Sequence, residues 1–251
     1  MELCLNFSHF SGLSGLGDSL MKSKVTILLL FILVFLYTQP GICLDSSPAL
    51  DSTSNVSNLW PDDIIKKVEA RYAVAGFSAD FFQTSTIKAM EITDTAFGKA
   101  FFKRPGKMRW EYEKPDRQTI ITDGNTLWIY RPEDNQVLIG KAPSFFGDGK
   151  GFSFLSDMKL IQKKFSIILD KKTEDGYYVL KLLPREKMFD VSVIYLSISM
   201  KTFDVVKIAT HNPYGDETRI ELNNIHLKQK LDDYIFSFKI PQGMDVLHLD
   251  E

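Results

Sequence analysis

The chain has 251 residues, near the upper range for one all-β domain, with 30 Lys and Arg against 32 Asp and Glu and a formal net charge of -2. No basic excess marks it as a nucleic-acid binder. Its two cysteines, Cys4 and Cys43, both lie near the amino terminus. Cleavage after Cys43 leaves a chain with no disulfide, no zinc–thiolate site and no cysteine nucleophile, so the core alone must hold it together.

Residues 1–20 fit neither a domain nor a signal and read as an upstream extension. Met21 then opens a secretory pattern, with Lys22 and Lys24 ahead of an apolar run over 25–37 and a break at Gln39-Pro40. The run is about 13 residues, short for a bilayer span. Residues 21–43 are therefore expected to be a signal peptide, with an uncleaved N-terminal anchor as the alternative. Ile42 is a poor neighbour for a lipidated Cys43, because a lipoprotein signal places a small residue there. Residues 44–59, rich in Ser, Asp and Asn, are expected to form a flexible leader to a folded domain over 60–251.

The first element is a helix over 61–75. Pro61 suits its first turn, Asp62 and Asp63 favour its positive end, and Ile64, Ile65, Val68 and Tyr72 form an apolar stripe. Gly76 ends it. Residues 77–88 alternate, and the face that begins with Phe77, Ala79 and Phe81 turns polar at Gln83 and Ser85. A strand leaving a core, or crossing a cavity rim, has this pattern. Strands over 98–103, 108–113, 118–122, 126–130 and 136–140 follow. Turns at Arg104-Pro105-Gly106-Lys107, Lys114-Pro115-Asp116, Asp123-Gly124-Asn125 and 131–135 separate them. Met108, Trp110 and Tyr112 share one face of this meander, opposite Arg109, Glu111 and Glu113.

The alternation stops over 142–164. Aromatic and apolar residues there are interrupted by Gly147, Gly149 and Gly151, which predicts one or two short amphipathic helices on a supple link. Lid, cap and core plug are all compatible with that pattern. Strands resume over 165–170, 177–183, 191–199, 205–211, 217–227 and 235–240. About ten or eleven strands in consecutive hairpins make a mainly β protein whose large antiparallel sheet must curl into a full or partial barrel. The 19 phenylalanines point to a core more open than a solid sandwich needs.

A search for reactive groups is nearly empty. His211, His226 and His248 have no partner at metal-ligand spacing, and the chain has no nucleophile elbow, phosphate loop or zinc-protease motif. No catalytic residue, metal site or cofactor is expected, and an enzyme with an unrecognised carboxylate pair is the reading from another class. What stands out is apolar surface, suited to a concave ligand site with few polar fixtures. Arg104 has two readings. It is a turn residue in solvent, or a five-donor fork able to hold backbone carbonyls or ligand oxygens.

These residues resemble the periplasmic lipoprotein carrier family LolA. The resemblance lies in Phe77, Ala79, Phe81 and Gln83, in Lys103-Arg104-Pro105 with Trp110 and Pro115, and in Asp123-Gly124 with Leu127-Trp128, Tyr130 and Gln136. It extends more weakly to Pro241-Gln242-Gly243 with Asp245-Val246, so that it covers roughly residues 60–248. It implies an unclosed antiparallel β-barrel under a lid of short α-helices, in a monomer of the periplasm. It implies an acylated lipoprotein cargo, an inner-membrane lipoprotein-releasing ABC transporter that loads it, and an outer-membrane lipoprotein acceptor that takes it. Arg104 corresponds to the arginine that latches the lid to the sheet. Phe81, Phe101, Trp110, Tyr112, Phe152, Phe154 and Leu155 are expected in the cavity or lid. Met108 sits where the family carries a larger apolar residue near the transfer interface. A lipid-anchored acceptor, or another lipid-binding or sensor member of the superfamily, is the alternative.

Overall fold

The computed structural model describes residues 59–143, 155, 158–172, 176–188 and 190–249. Helix α1, Pro61–Arg71, carries its proline in the first turn and Asp62 and Asp63 at its N-terminal end, with Ile64, Ile65 and Val68 buried. It ends short of the predicted residue 75 because Tyr72 leaves the helical path for the sheet. The Tyr72 ring meets Phe77 edge-on at 4.9 Å, and its hydroxyl accepts the Val205 N–H at 3.1 Å. Arg71 closes the same junction with Nε and Nη2 on the Asp204 carboxylate at 2.8 and 3.2 Å. Burial pushes the Tyr72 phenol well above its ordinary pKa, so it stays neutral and hydrogen-bonding. Tyr72→Phe strands the Val205 N–H without a partner and is expected to cost about 1–3 kcal/mol. Urea denaturation measures this, and an unchanged midpoint would remove the hydroxyl from the account of how α1 docks.

The strands are β1 Gly76–Ile87, β2 Ile92–Lys103, β3 Lys107–Lys114, β4 Gln118–Thr122, β5 Thr126–Arg131 and β6 Gln136–Lys141. After helix α2, Lys159–Lys164, come β7 Phe165–Lys172, β8 Tyr177–Pro184, β9 Val193–Ser199, β10 Val205–His211, β11 Glu217–Leu227 and β12 Asp245–His248. They form one twelve-stranded sheet in the order β12-β6-β5-β4-β3-β2-β1-β11-β10-β9-β8-β7. Among the described residues β7 and β12 do not pair with each other, so the sheet is unclosed, as the family resemblance implies. Consecutive strands pair antiparallel within β1–β6 and within β7–β11, and β1 pairs antiparallel with β11. At Asp123-Gly124 the Thr122 and Asp123 side chains accept the N–H groups of Gly124, Asn125 and Thr126, and Gly124 takes φ +99°.

Two strand expectations change. The strand expected over 235–240 is a single 3-10 turn, Asp233–Phe236, followed by a segment outside the ladder. The segment lies against β3 and β5 instead of extending the sheet. Arg109 Nη1 donates to the Ile235 carbonyl at 3.0 Å, Phe236 is buried, and Phe238 packs against Tyr130. Lys103 and Lys107 grip Asp233 from β2 and β3 and hold its carboxyl at about 2, below its ordinary range. This clasp is complete above the ordinary carboxylate range and is lost as pH falls through about 2. The closing strand lies further on. It is β12, which pairs parallel with β6, a geometry that hairpin reasoning does not anticipate. The same segment had carried only part of the family resemblance, at Asp245-Val246.

Candidate functional site

Strand register places the side chains of one face in rungs that cross the whole sheet. One rung runs Ala79–Ala100–Trp110–Ile120–Ile129–Leu138, and the next runs Phe81–Gly98–Tyr112–Gln118. On the other side of β1 the same face continues through Leu222 and Ile220, Ile208, Leu196 and Leu180. Nearly all of it is apolar. The residues named over β8–β11 are almost inaccessible to water, and Phe165 on β7 completes them.

The centre of this face is aromatic around a floor of small residues. Phe77 stacks on Phe102 with ring centroids 4.5 Å apart, and Phe102 meets Trp110 edge-on at 5.4 Å. Phe81 is edge-on to both Trp110 and Tyr112, at 5.0 and 4.9 Å. Ala79, Gly98 and Ala100 lie between these rings, so the face combines large walls with a low floor. Toward one end it becomes polar, as the Gln83 and Ser85 pattern predicts. Tyr112 donates its hydroxyl to Gln83 Oε1 at 3.0 Å, and Gln83 Nε2 donates to Ser85 Oγ at 3.0 Å. Burial raises the Tyr112 phenol pKa and keeps it a neutral donor.

Of the residues expected to line the site, Phe81, Trp110 and Tyr112 come together on this face, and Leu155 is buried. Phe152 and Phe154 lie outside the described residues. Phe101 is placed elsewhere: it pairs across to Ser78 and Arg109 on the opposite face, and Phe102 holds the inner position. Adjacent phenylalanines cannot both face inward on a pleated strand, and the parity of Gly98 and Ala100 selects Phe102. Met108 is buried in the row of Phe102 and Thr122. Arg104 follows β2 at the turn, where its N–H donates to the Ala75 carbonyl at 3.2 Å. Its side chain is half-buried and makes no hydrogen bond or ion pair among the described residues. A pocket of about 660 Å³ opens at the polar end of the sheet, where Phe97, Glu111, Thr119 and Tyr130 of the opposite face meet Tyr112 and Gln118.

Among the described residues no group of three His, Cys, Asp or Glu could hold a metal ion. No described helix is long and apolar enough to cross a membrane. The arrangement offers an apolar, aromatic surface in an open sheet, suited to holding an apolar ligand.

The family model for the outer membrane lipoprotein carrier protein LolA matches residues 73–239. An outer-membrane lipoprotein carrier protein of Neisseria meningitidis is 30% identical over 172 residues, which is 68% of this chain and 80% of the relative. One from Hahella chejuensis is 26% identical over 208 residues, 80% of this chain and 95% of the relative. Among solved structures, an uncharacterized conserved protein from Thermus thermophilus superposes with a TM-score of 0.50 at 12% identity. The match covers 74% of this chain and 98% of the other, a likeness of fold.

Proposed function

The chain belongs to the outer membrane lipoprotein carrier protein LolA family, and from that premise we propose that it shields the acyl chains of lipoproteins on their way through the periplasm from the inner to the outer membrane. The observation that carries the reading is the continuous apolar face of the unclosed sheet, aromatic at its centre and floored by Ala79, Gly98 and Ala100. Each methylene taken out of water contributes about 0.8 kcal/mol, so acyl chains totalling roughly 45 methylenes cost on the order of 36 kcal/mol to expose. Unassisted passage through water is negligible, and a protein surface must stand in for the bilayer.

Topology supports a lid. Residues 142–158 connect β6, beside one edge of the sheet, with α2 and β7 at the other. A connection between the two edges of an unclosed sheet suits a segment that covers the apolar face when empty and yields to cargo. Arg104 is then the residue that sets the balance between the two states. An inner-membrane ABC transporter supplies the cargo, an outer-membrane acceptor removes it, and the carrier works as a monomer.

The direct test incubates the purified mature chain with spheroplasts that carry a labelled lipoprotein. The expected result is release of the label as a soluble one-to-one complex, dependent on ATP in the spheroplast. Label that stays with the membrane at every carrier concentration would overturn the function.

A further inference from the structure

The polar end of the apolar face holds side chains whose hydrogen bonds the protein does not complete. Gln118 is 2% exposed, yet neither its amide oxygen nor its amide nitrogen has a partner among the described residues. On the adjacent strand, Arg131 has Nε and Nη2 both shut off from solvent and both unpaired among the described residues. These two residues are neighbours. Thr119 pairs with Tyr130 across β4 and β5, and Gln118 and Arg131 stand one rung beyond that pair. Alternation puts Arg131 on the face of Leu127 and Ile129, the face that also carries Tyr112 and Gln118.

Buried polar groups are normally satisfied, and an unsatisfied one costs its full desolvation. A cluster of them at the end of a ligand surface therefore points to what the ligand brings. The pattern of vacancies is specific. Nε–H and Nη2–H lie along one edge of the guanidinium and donate in parallel, the geometry that fits two oxygens of one acceptor group. Arg71 in this same chain shows that edge in use, with both nitrogens on the Asp204 carboxylate. Arg131 has no such partner among the described residues. Asp134, whose charge favours the Arg131 cation, is exposed in the following turn and makes no ion pair with it among the described residues. Desolvation lowers the Arg131 pKa, the expected response of a cation that lacks its counter-charge.

We propose that this end of the face is a head-group site for an anionic acyl amphiphile, with the Arg131 Nε/Nη2 edge holding two oxygens of a phosphate or carboxylate head and the Gln118 amide completing the contact. The Tyr112, Gln83 and Ser85 chain then forms the polar floor where the head group gives way to the acyl chains. This reading rests on the proposed use of the apolar face for acyl chains, and it names a ligand class beyond a neutral acylated cargo. The shared chemistry is the two-oxygen anion. It can come from a lipid head group or from a free oxyanion.

The experiment displaces an environment-sensitive naphthylamine probe from the purified chain with dodecyl phosphate, with uncharged dodecyl maltoside and with inorganic phosphate. Dodecyl phosphate is expected to bind the wild type at least about tenfold more tightly than the maltoside, the scale of one charge-assisted pair. Arg131→Gln keeps the stem and a donor, lies at a strand end, and should erase that preference while maltoside binding persists. Gln118→Leu provides a second variant and should reduce the preference in part. Equal affinities in the wild type, or a preference retained in Arg131→Gln, would overturn the head-group site and leave the acyl surface standing. Inorganic phosphate binding as tightly as dodecyl phosphate would overturn the lipid assignment in favour of a free oxyanion. If neither amphiphile displaces the probe, the acyl-binding reading itself fails, and the inference falls with it.

Discussion

Gly98→Ala is expected to destabilise the protein by about 3 kcal/mol or more, an unusually large effect for the addition of one methyl group. The ladder between β2 and β3 shifts register there: Gly98 pairs with Tyr112, but its neighbour Phe97 pairs with Lys114. Glu113 is the extra residue of a bulge, and the strands approach closely around it. A Cβ on Gly98 would land on the Glu111 carbonyl oxygen and lie 3.0 Å from the Tyr112 Cα. Those are backbone atoms in a hydrogen-bonded ladder, so no side chain can rotate to make room. The glycine is required by space alone, since its φ is not positive. Gly176→Ala is the control. There φ is +80°, but an added Cβ meets nothing, so the cost is conformational, about 1 kcal/mol. Guanidinium denaturation of the two variants separates the effects, and equal losses would show that the close approach at Gly98 is not what the fold depends on.

Gly98 also explains how the site is shaped. It faces Phe81 on β1 and Tyr112 on β3, and it is the lowest point between two large rings. The bulge beside it ends the run of apolar rungs and brings Tyr112 into line with Gln83 and Gln118. One local irregularity thus sets the floor of the apolar surface and the start of its polar end.

Much of this was legible in the sequence. Alternation identified the shared face of Met108, Trp110 and Tyr112. The change from Phe77, Ala79 and Phe81 to Gln83 and Ser85 marked where the apolar surface turns polar. Other features depend on tertiary partners. The Ile235–Phe236–Phe238 pattern fits a strand as well as a cover segment, and only the Arg109 and Asp233 contacts decide between them. β12 pairs with β6 in parallel across about a hundred residues of chain, so no local turn announces it. β2 begins at Ile92, earlier than expected, because its first half is mostly exposed and polar and so lacks the apolar rhythm. Phe101 and Phe102 are adjacent, and choosing between them requires the parity of the small residues beside Trp110. The vacant groups of Gln118 and Arg131 could not be read at all, since an unsatisfied hydrogen bond is a property of surroundings and has no sequence signature.

Arg104→Leu should leave the fold intact and slow delivery of cargo to the acceptor by about ten- to a hundredfold, the factor that a latch of this kind commands. The effect runs through the empty state. Arg104 stands at the first turn of the meander, fixed by its own backbone to Ala75 at the junction between α1 and β1. Its guanidinium, half-buried and uncommitted among the described residues, is available to the backbone carbonyls of the proposed lid. A latch of charge-assisted hydrogen bonds contributes about 1.5–3 kcal/mol to the closed, empty form. Removing it raises the free energy of that form alone. By linkage, cargo affinity then rises by the same factor, about ten- to a hundredfold, and cargo is given up correspondingly more slowly. The variant should therefore load normally from the inner membrane and accumulate as a stable complex. Arg104→Lys keeps the charge but loses the fork, and should lie between the two. Stopped-flow transfer to purified acceptor, read beside the thermal midpoint, makes the comparison. A leucine variant that melts like the wild type and hands over cargo at the wild-type rate would take the latch away from Arg104.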